Sequence, residues 1–294
     1  MKKSTLVLAA SLLTGITHVA HAQPAPLNYS QVRLLAKQDL EAEKYEAAEK
    51  DALQMIALAD SPDEAEWARM ILGQSFYLRK MYEPARAEWN KLLTANPAGT
   101  EATVTHLLLA RSYSADGNFA KAIPHYEAGI AGFDKDAEED EADKPQKKVE
   151  PETLGTSTIL SLGLANAYYH TEQYELAQKQ LEKVTKLTEG VPILHMIALT
   201  RTSEIDFSEL RLKQAVAGFD KIVTLKEDAP SLKQYAKLQS ERASSWLRNN
   251  GEGTHGIQMR VNLENSAQDK KMNSAIQALI DTLVDGAIVG ALEE

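Results

Sequence analysis

Large apolar residues and small residues alternate along this chain at intervals of three and four, the spacing that places side chains on one face of a helix. The clearest example puts a leucine, a small residue and an aromatic before a second aromatic, a small residue and a large one: Leu72, Gly73, Phe76, Tyr82, Ala85 and Trp89. Pro97 follows, and proline ends a helix because it lacks an amide hydrogen and clashes with the preceding turn. The pattern therefore predicts two helices joined by a short turn.

The same six-residue arrangement occurs twice more in the sequence. The next copy consists of Leu109, Ala110, Tyr113, Phe119, Ala122 and Tyr126. A third copy consists of Leu164, Ala165, Tyr168, Tyr174, Ala177 and Leu181. Weaker copies around Ala36 and Ser203 flank these three. Self-similarity of this kind indicates a stack of repeated helix pairs, here about five of them.

This alternation resembles the tetratricopeptide repeat, in which two antiparallel helices, A and B, pack through small residues and fill the space between them with aromatic ones. The resemblance implies an all-α fold, a right-handed superhelical array of antiparallel helix pairs. The usual repeat has about 34 residues, so each unit here is about three residues longer. An ordinary helical bundle, with the same aromatics as its core, is the alternative.

In tetratricopeptide proteins the inner face of each helix A lines a groove that takes peptides or segments of partner proteins. The resemblance assigns ten residues to that face here: Trp67, Met70, Gln74, Tyr77, Val104, Arg111, Ser114, Ile159, Asn166 and Tyr169. Large apolar groups with a few polar tips suit binding hot spots, although apolar residues at such positions can instead face neighbouring helices. The paired lysine and asparagine sites of the carboxylate-clamp subset are not reproduced, so we do not expect recognition of a free C-terminal carboxylate.

An acidic segment interrupts the repeat spacing. The third copy begins at Leu164, whereas the interval between the first two copies would place it at Gln146. Between these copies, seven of the ten residues from Asp134 to Asp143 are acidic. Such a block repels itself and usually stays solvated, which predicts a flexible acidic insert over residues 134–152. A calcium loop is disfavoured because Glu139 and Pro145 stand where the EF-hand pattern needs glycine and glutamate.

The C-terminal part carries three further patterns. Residues Leu232 to Leu247 have helical periodicity, whereas Ile257 to Leu263 alternate apolar and polar side chains as a strand does. That extended segment packs either on the last helices or against a partner. A helical stripe follows, consisting of Ile276, Leu279, Ile280, Leu283, Ala287 and Ala291. Because a solenoid needs its last repeat covered, we expect a capping helix here.

The N-terminal segment, 1–22, has the order of a secretory signal peptide. Lys2 and Lys3 precede an apolar stretch from Leu6 to Ile16, and Ala20 and Ala22 occupy the two positions that a signal peptidase inspects. The apolar stretch is shorter than the ~20 residues that a membrane-spanning helix needs. We therefore expect cleavage after Ala22, a periplasmic location of the exported bacterial envelope type, and no stable membrane insertion.

These boundaries divide the chain into five parts: a signal peptide (1–22), N-terminal repeats (23–133), the acidic insert (134–152), C-terminal repeats (153–250), and an extended segment with the capping helix (251–294). The 294 residues include no cysteine and carry a formal charge of −10. The first property excludes disulfides and thiolate chemistry. The second argues against a nucleic-acid partner, because neutralising phosphates takes clustered lysine and arginine.

Motifs for catalysis or metal binding are missing from the sequence. The histidines beyond the signal peptide stand apart from one another: His106, His125, His170, His195 and His255. No H-E-x-x-H, G-x-S-x-G or phosphate-binding loop occurs. We therefore expect no cofactor and no metal, and an enzyme would need carboxylates from separate repeats to converge.

The leading hypothesis is a periplasmic adaptor or scaffold that binds partner proteins or peptide segments in envelope assembly or regulation. The alternative is a binding protein for a small molecule or a cell-wall glycan fragment. In that alternative Trp67, Tyr77 and Tyr169 would serve as stacking surfaces.

Overall fold

The computed structural model describes residues 26–98, 100–141, 156–188, 191–250, 270–271 and 273–283. The regular secondary structure of these ranges is entirely helical. The signal peptide and the strand-like segment from Ile257 to Leu263 lie outside the described residues and stay predictions. Within the described part of the chain, no helix is both long enough and apolar enough to cross a bilayer.

The helices follow one another with short connections over most of the described chain. They are α1 (Tyr29–Glu41), α2 (Tyr45–Leu58), α3 (Pro62–Leu78), α4 (Tyr82–Ala95), α5 (Thr100–Ala115), α6 (Phe119–Glu141), α7 (Thr156–His170), α8 (Tyr174–Leu187), α9 (Pro192–Ser208), α10 (Leu212–Thr224) and α11 (Pro230–Asn250). Residues 270–271 and 273–283 are also helical and are called α12 below.

Local sequence explains where several helices begin and end. Asn28 starts α1 with a capping box, in which its side chain accepts from the amide of Gln31 while the Gln31 side chain accepts from the amide of Asn28. Ser61 caps α3 by accepting from the amide of Glu64 at 3.2 Å. Helix α4 ends at Ala95, just before Pro97, as the sequence predicted.

Five helix pairs make up the array in the described ranges: α1/α2, α3/α4, α5/α6, α7/α8 and α9/α10. Each pair is joined by a turn with one residue in the left-handed region: Glu43, Lys80, Gly117, Glu172 and Leu210. In each turn the next amide donates to the carbonyl five residues earlier, for example from Met81 to Phe76 at 2.9 Å. This bond closes the end of the first helix of the pair. The repetition of one turn confirms the predicted array of helix pairs.

Small residues let the two helices of a pair approach closely. A Cβ atom added to Gly73 on α3 would lie 2.2 Å from Nε1 of Trp89 on α4. Trp89 itself is completely buried, and its indole nitrogen donates to the carbonyl of Met70 at 3.4 Å. The matching small residues Ala110 and Ala165 are also buried. The alternation read from the sequence is therefore the packing of the core.

Among helices two places apart in the chain, several odd-numbered ones contact each other across the repeats. Contacts between alternate helices join α1 to α3, α7 to α9, and α9 to α11. These contacts place the odd-numbered helices on the inner side of the superhelix. The odd-numbered helices correspond to helix A of each repeat. Helix α11 packs along α10 and so covers the last pair.

The acidic segment differs from its prediction at its start. Helix α6 continues to Glu141, so residues 134–141 are helical although the charge pattern predicted a loop from residue 134 onward. Glutamate, alanine and lysine are strong helix formers, and residues 134–141 contain three glutamates, one alanine and one lysine. Residues 142–152 lie outside the described residues, and their flexibility stays a prediction.

Candidate partner-binding surface

The ten residues assigned to the inner face lie on α3, α5 and α7, and all of them are at least partly covered. Six are buried: Met70, Tyr77, Val104, Arg111, Ser114 and Asn166. The other four are half-buried: Trp67, Gln74, Ile159 and Tyr169. Two kinds of neighbour cover this face, namely arginines of adjacent helices and helix α12.

Arginines from the array cover the predicted aromatic surfaces. The guanidinium of Arg33 lies 4.5 Å from the ring centre of Trp67, and that of Arg201 lies 4.6 Å from the ring centre of Tyr169. Tyr77 is buried, with the Trp89 ring 6.0 Å away. An arginine over an aromatic face gains a cation–π interaction. An arginine therefore already occupies one face of the Trp67 and Tyr169 rings, which leaves less ring surface for stacking of a sugar.

Helix α12 lies across the inner face and contacts three successive odd-numbered helices through polar side chains. Asp281 pairs with Arg111 of α5 at 3.1 Å. Gln277 accepts a hydrogen bond from the side-chain amide of Asn166 on α7. Asn273 accepts from Arg201 of α9 at 2.7 Å. The chain direction of α12 is thus opposite to the order of the repeats.

Two of these contacts fall on one recurring position of the repeat. Arg111 directly follows Ala110, and Asn166 directly follows Ala165, the matching small residues of two successive copies. In the weaker copy around Ser203, the residue that follows is Glu204. Glu204 binds Arg201 at 2.7 Å and therefore takes part in the third contact. One position of the repeat thus provides two of the three groups that bind α12 directly, and in the fifth repeat it binds the third group, Arg201.

Arg201 is the most buried charge of this surface. Its side chain is fully buried, and it binds Glu204, which also accepts from the hydroxyl of Tyr235 at 2.6 Å. Burial, together with Glu204, raises the pKa of the Tyr235 hydroxyl well above its usual value. Sequence reasoning missed Arg201 and Glu204. The repeat register could have found Glu204, whereas nothing in the pattern singles out Arg201, which lies almost one helical turn earlier.

The buried face of α12 differs from the predicted stripe. Ile276 and Ile280 are buried in the main apolar cluster, and Leu283 packs against it, but Leu279 is 37% exposed. The polar residues Asn273, Gln277 and Asp281 are half-buried and bind the array beside the two isoleucines, on the side away from Leu279. The reason is that the surface beneath α12 carries two arginines and an asparagine, which need polar partners when buried.

Comparisons with known proteins support the architecture. Two solved structures of nearly identical TPR-like repeats, assigned to a kinesin light chain of Podosopora anserina, superpose with TM-scores of 0.51 and 0.50. Their identity to this chain is 14%, and they cover 72% and 76% of it and 96% and 100% of their own length. The chain has the tetratricopeptide-repeat fold.

Further solved structures are similar at lower scores. Pseudomonas aeruginosa PilF matches with a TM-score of 0.49 and 12% identity, over 84% of this chain and 97% of its own. PilW, a type IV pilus biogenesis factor, matches with a TM-score of 0.48 and 14% identity, over 83% of this chain and 97% of its own. No protein-family model and no curated protein matches the sequence.

Arginines also bind carboxylates between and within the tetratricopeptide repeats. Arg86 of α4 is buried, and it donates to Asp116 at 3.0 Å and to the carbonyl of Ser112 on α5 at 3.2 Å. Arg211 binds Asp206 at 2.7 Å within the turn of the fifth repeat. The Arg86 contacts therefore join the second repeat to the third, whereas the Arg211 pair closes a turn within one repeat. Among the described residues, no group of three or more histidines and carboxylates could hold a metal ion.

Three histidines pack inside the repeats. The Nδ1 atoms of His106 and His125 are 3.0 Å apart, and the ring of His170 stacks on Phe119 at 4.2 Å. Burial and the neighbouring Arg201 lower the pKa of His170 to about 3. Burial and His106 lower the pKa of His125 to about 4. The His170 and His125 side chains are consequently neutral near pH 7.

Proposed function

We propose that this protein is a periplasmic adaptor that holds helical segments of partner proteins against the inner face of its tetratricopeptide array. The observation that carries the proposal is the packing of α12, because Arg111, Asn166 and Arg201 already hold a helix there. A surface that accommodates one amphipathic helix has the shape and the polar groups to accommodate another.

The side chains on the inner face suit a protein partner better than a small ligand. Buried apolar groups such as Met70 and Val104 lie on the same helices as charged and amide groups, a combination typical of binding hot spots. The aromatic rings that a glycan would need are covered by Arg33, Arg201 and neighbouring rings. We therefore favour the adaptor over the glycan-binding alternative.

The periplasmic part of the proposal rests on the signal-like segment that ends at Ala22. N-terminal sequencing of the protein recovered from the periplasmic fraction would test it. The expected first residue is Gln23. An uncleaved chain in the cytoplasm would contradict the location without affecting the binding surface.

Partner capture tests the adaptor function directly. The protein would be purified from chemically crosslinked cell envelopes, and its partners compared between the wild type and Arg111→Gln. Lys179→Gln is a matched control, because it removes the same charge from an exposed position on α8. We expect partners to be lost with the Arg111 change alone. Equal recovery from both variants, with unchanged far-UV circular dichroism, would refute the inner face as the binding site.

A further inference from the structure

Helix α12 is joined to the array through the segment 251–269, which follows α11 in the chain. It presents a face in which amide or acid groups recur every fourth residue, at Asn273, Gln277 and Asp281. Buried isoleucines, Ile276 and Ile280, lie between them. A helix with this arrangement places polar and apolar groups side by side on one surface.

Helix α12 leaves some hydrogen-bond donors of the surface beneath it without an acceptor among the described residues. Arg201 is fully buried and donates through one nitrogen to Glu204 and to the neutral amide of Asn273. Its Nε and Nη2 atoms are buried without a hydrogen-bond partner among the described residues. A buried guanidinium is stabilised most by a carboxylate, which can accept two of its donors. Glu204 already supplies one carboxylate to Arg201, and a second carboxylate in place of the Asn273 amide would offer an acceptor to the donors that Glu204 leaves unpaired.

We propose that α12 is a built-in competitor of the partner, and that the partner is an amphipathic helix with carboxylates opposite both Arg201 and Arg111. Such a helix has an acid at positions i and i+8, an amide or acid at i+4, and branched apolar residues at i+3 and i+7. It would reproduce the contacts of α12 and replace Asn273 by an acid. Because this helix would occupy the inner face proposed above, the inference rests on the proposed function and specifies the chemistry of its partner.

The competitor role follows from the connection of α12 to the array. A tethered ligand acts at a high effective concentration, so the groove is open only for a fraction of the time. The apparent dissociation constant of an external helix rises by the inverse of that fraction. If α12 is docked nine-tenths of the time, an external helix binds about tenfold more weakly than to an open groove.

The test uses the full chain and a fluorescent peptide with the sequence of residues 270–283, measured by anisotropy. Ile280→Asp places a charge at a position that is 1% exposed and should release α12. Leu279→Asp places the same charge on the exposed side of the same helix and is the matched control. We expect the peptide to bind Ile280→Asp at least about tenfold more tightly than the wild type or Leu279→Asp.

Peptide changes test the chemistry without altering the array. A peptide carrying Asn273→Asp should bind the released variant at least about threefold more tightly than the native peptide, because it brings a carboxylate to Arg201. One carrying Asn273→Lys should bind at least about tenfold more weakly, since it opposes like charges. Equal affinities of the three peptides would overturn the proposed partner chemistry.

Other outcomes would overturn the competitor role. These are equal peptide binding by the wild type and Ile280→Asp, or binding by neither. A wild-type dimer that dissociates on the Ile280 change would show that α12 occupies a second copy instead. If Ile280→Asp does not fold, Asn273→Lys in the protein provides a second way to release α12. The peptide assay needs no natural partner, so its failure is distinguishable from a failure of partner capture.

Discussion

The close contact between Gly73 and Trp89 predicts that Gly73→Ala destabilises the wild-type protein but stabilises a variant that lacks the Trp89 ring. A Cβ atom at Gly73 would lie 2.2 Å from Nε1 of Trp89 and 2.7 Å from two ring carbons. The indole is completely buried and bonded to the Met70 carbonyl, so it cannot swing away. Gly73→Ala should therefore force α3 and α4 apart.

The magnitude follows from two opposing terms. Overpacking of a tight core costs about 1–3 kcal/mol, and a contact this short belongs at the upper end. Alanine gains about 0.8–1 kcal/mol over glycine inside a helix. The expected net loss for Gly73→Ala is about 2 kcal/mol. When Trp89 is replaced by alanine, at a cost of about 3–5 kcal/mol, the clash disappears and the Gly73 change should stabilise the protein by up to about 1 kcal/mol.

A double-mutant cycle measures this coupling. Urea unfolding followed by circular dichroism would give the free energy of unfolding of the wild type, both single variants and the double variant. The expected coupling energy is about 3 kcal/mol. Additive effects, or a loss below about 1 kcal/mol for Trp89→Ala, would refute the packing of α3 on α4 through this pair. Trp89→Leu replaces alanine in the cycle if the larger deletion unfolds the chain.

Three further outcomes are expected. Lys80 and Gly117 both have a left-handed backbone, which is unfavourable for a residue with a Cβ atom. Lys80→Gly should therefore stabilise the protein by about 1 kcal/mol, and Gly117→Ala should destabilise it by about as much. Effects of the same sign in thermal unfolding would contradict this. Arg86→Met should lower the free energy of unfolding by about 1–3 kcal/mol, because it removes charged hydrogen bonds between repeats. Lys91→Met, which removes an exposed ion pair, should lower it by less than about 0.5 kcal/mol; urea unfolding measures both. Because the pKa of His170 is lowered to about 3, its stabilising contribution is complete above pH 6.5 and is lost as the pH falls toward 3. The free energy of unfolding should therefore decrease below pH 6.5 by up to about 1.4 kcal/mol per pH unit, and His170→Leu should reduce that slope; an unchanged slope would contradict the burial.

The repeat array could be predicted from the sequence because the packing of each helix pair requires small and aromatic residues at fixed spacings. Small residues such as Gly73 and aromatics such as Trp89 are placed by contacts that recur in every pair, so a spacing can reveal them. The turns were not predictable in the same way. Lys80 and Glu172 adopt a left-handed backbone that usually requires glycine, and only tertiary closure of each pair explains their conformation.

The candidate surface was predicted in part. The resemblance placed Arg111 and Asn166 on the inner face, and the structure brings both against one helix. Their partners on α12 were beyond prediction, because a contact between residues more than a hundred positions apart leaves no local pattern. The apolar stripe was assigned too simply for the same reason, since Leu279 is partly exposed whereas Gln277 and Asp281 bind Asn166 and Arg111 of the array.

Site-specific photocrosslinking in cells tests the central claim most directly. A photoreactive amino acid would replace Gln74, which holds the same repeat position as Arg111, or Leu176, which is 43% exposed on α8. The account predicts that partner proteins crosslink at Gln74, through amphipathic helical segments identified by mass spectrometry, and not at Leu176. Partners that crosslink only at Leu176, or equally at both positions, would contradict binding on the inner face.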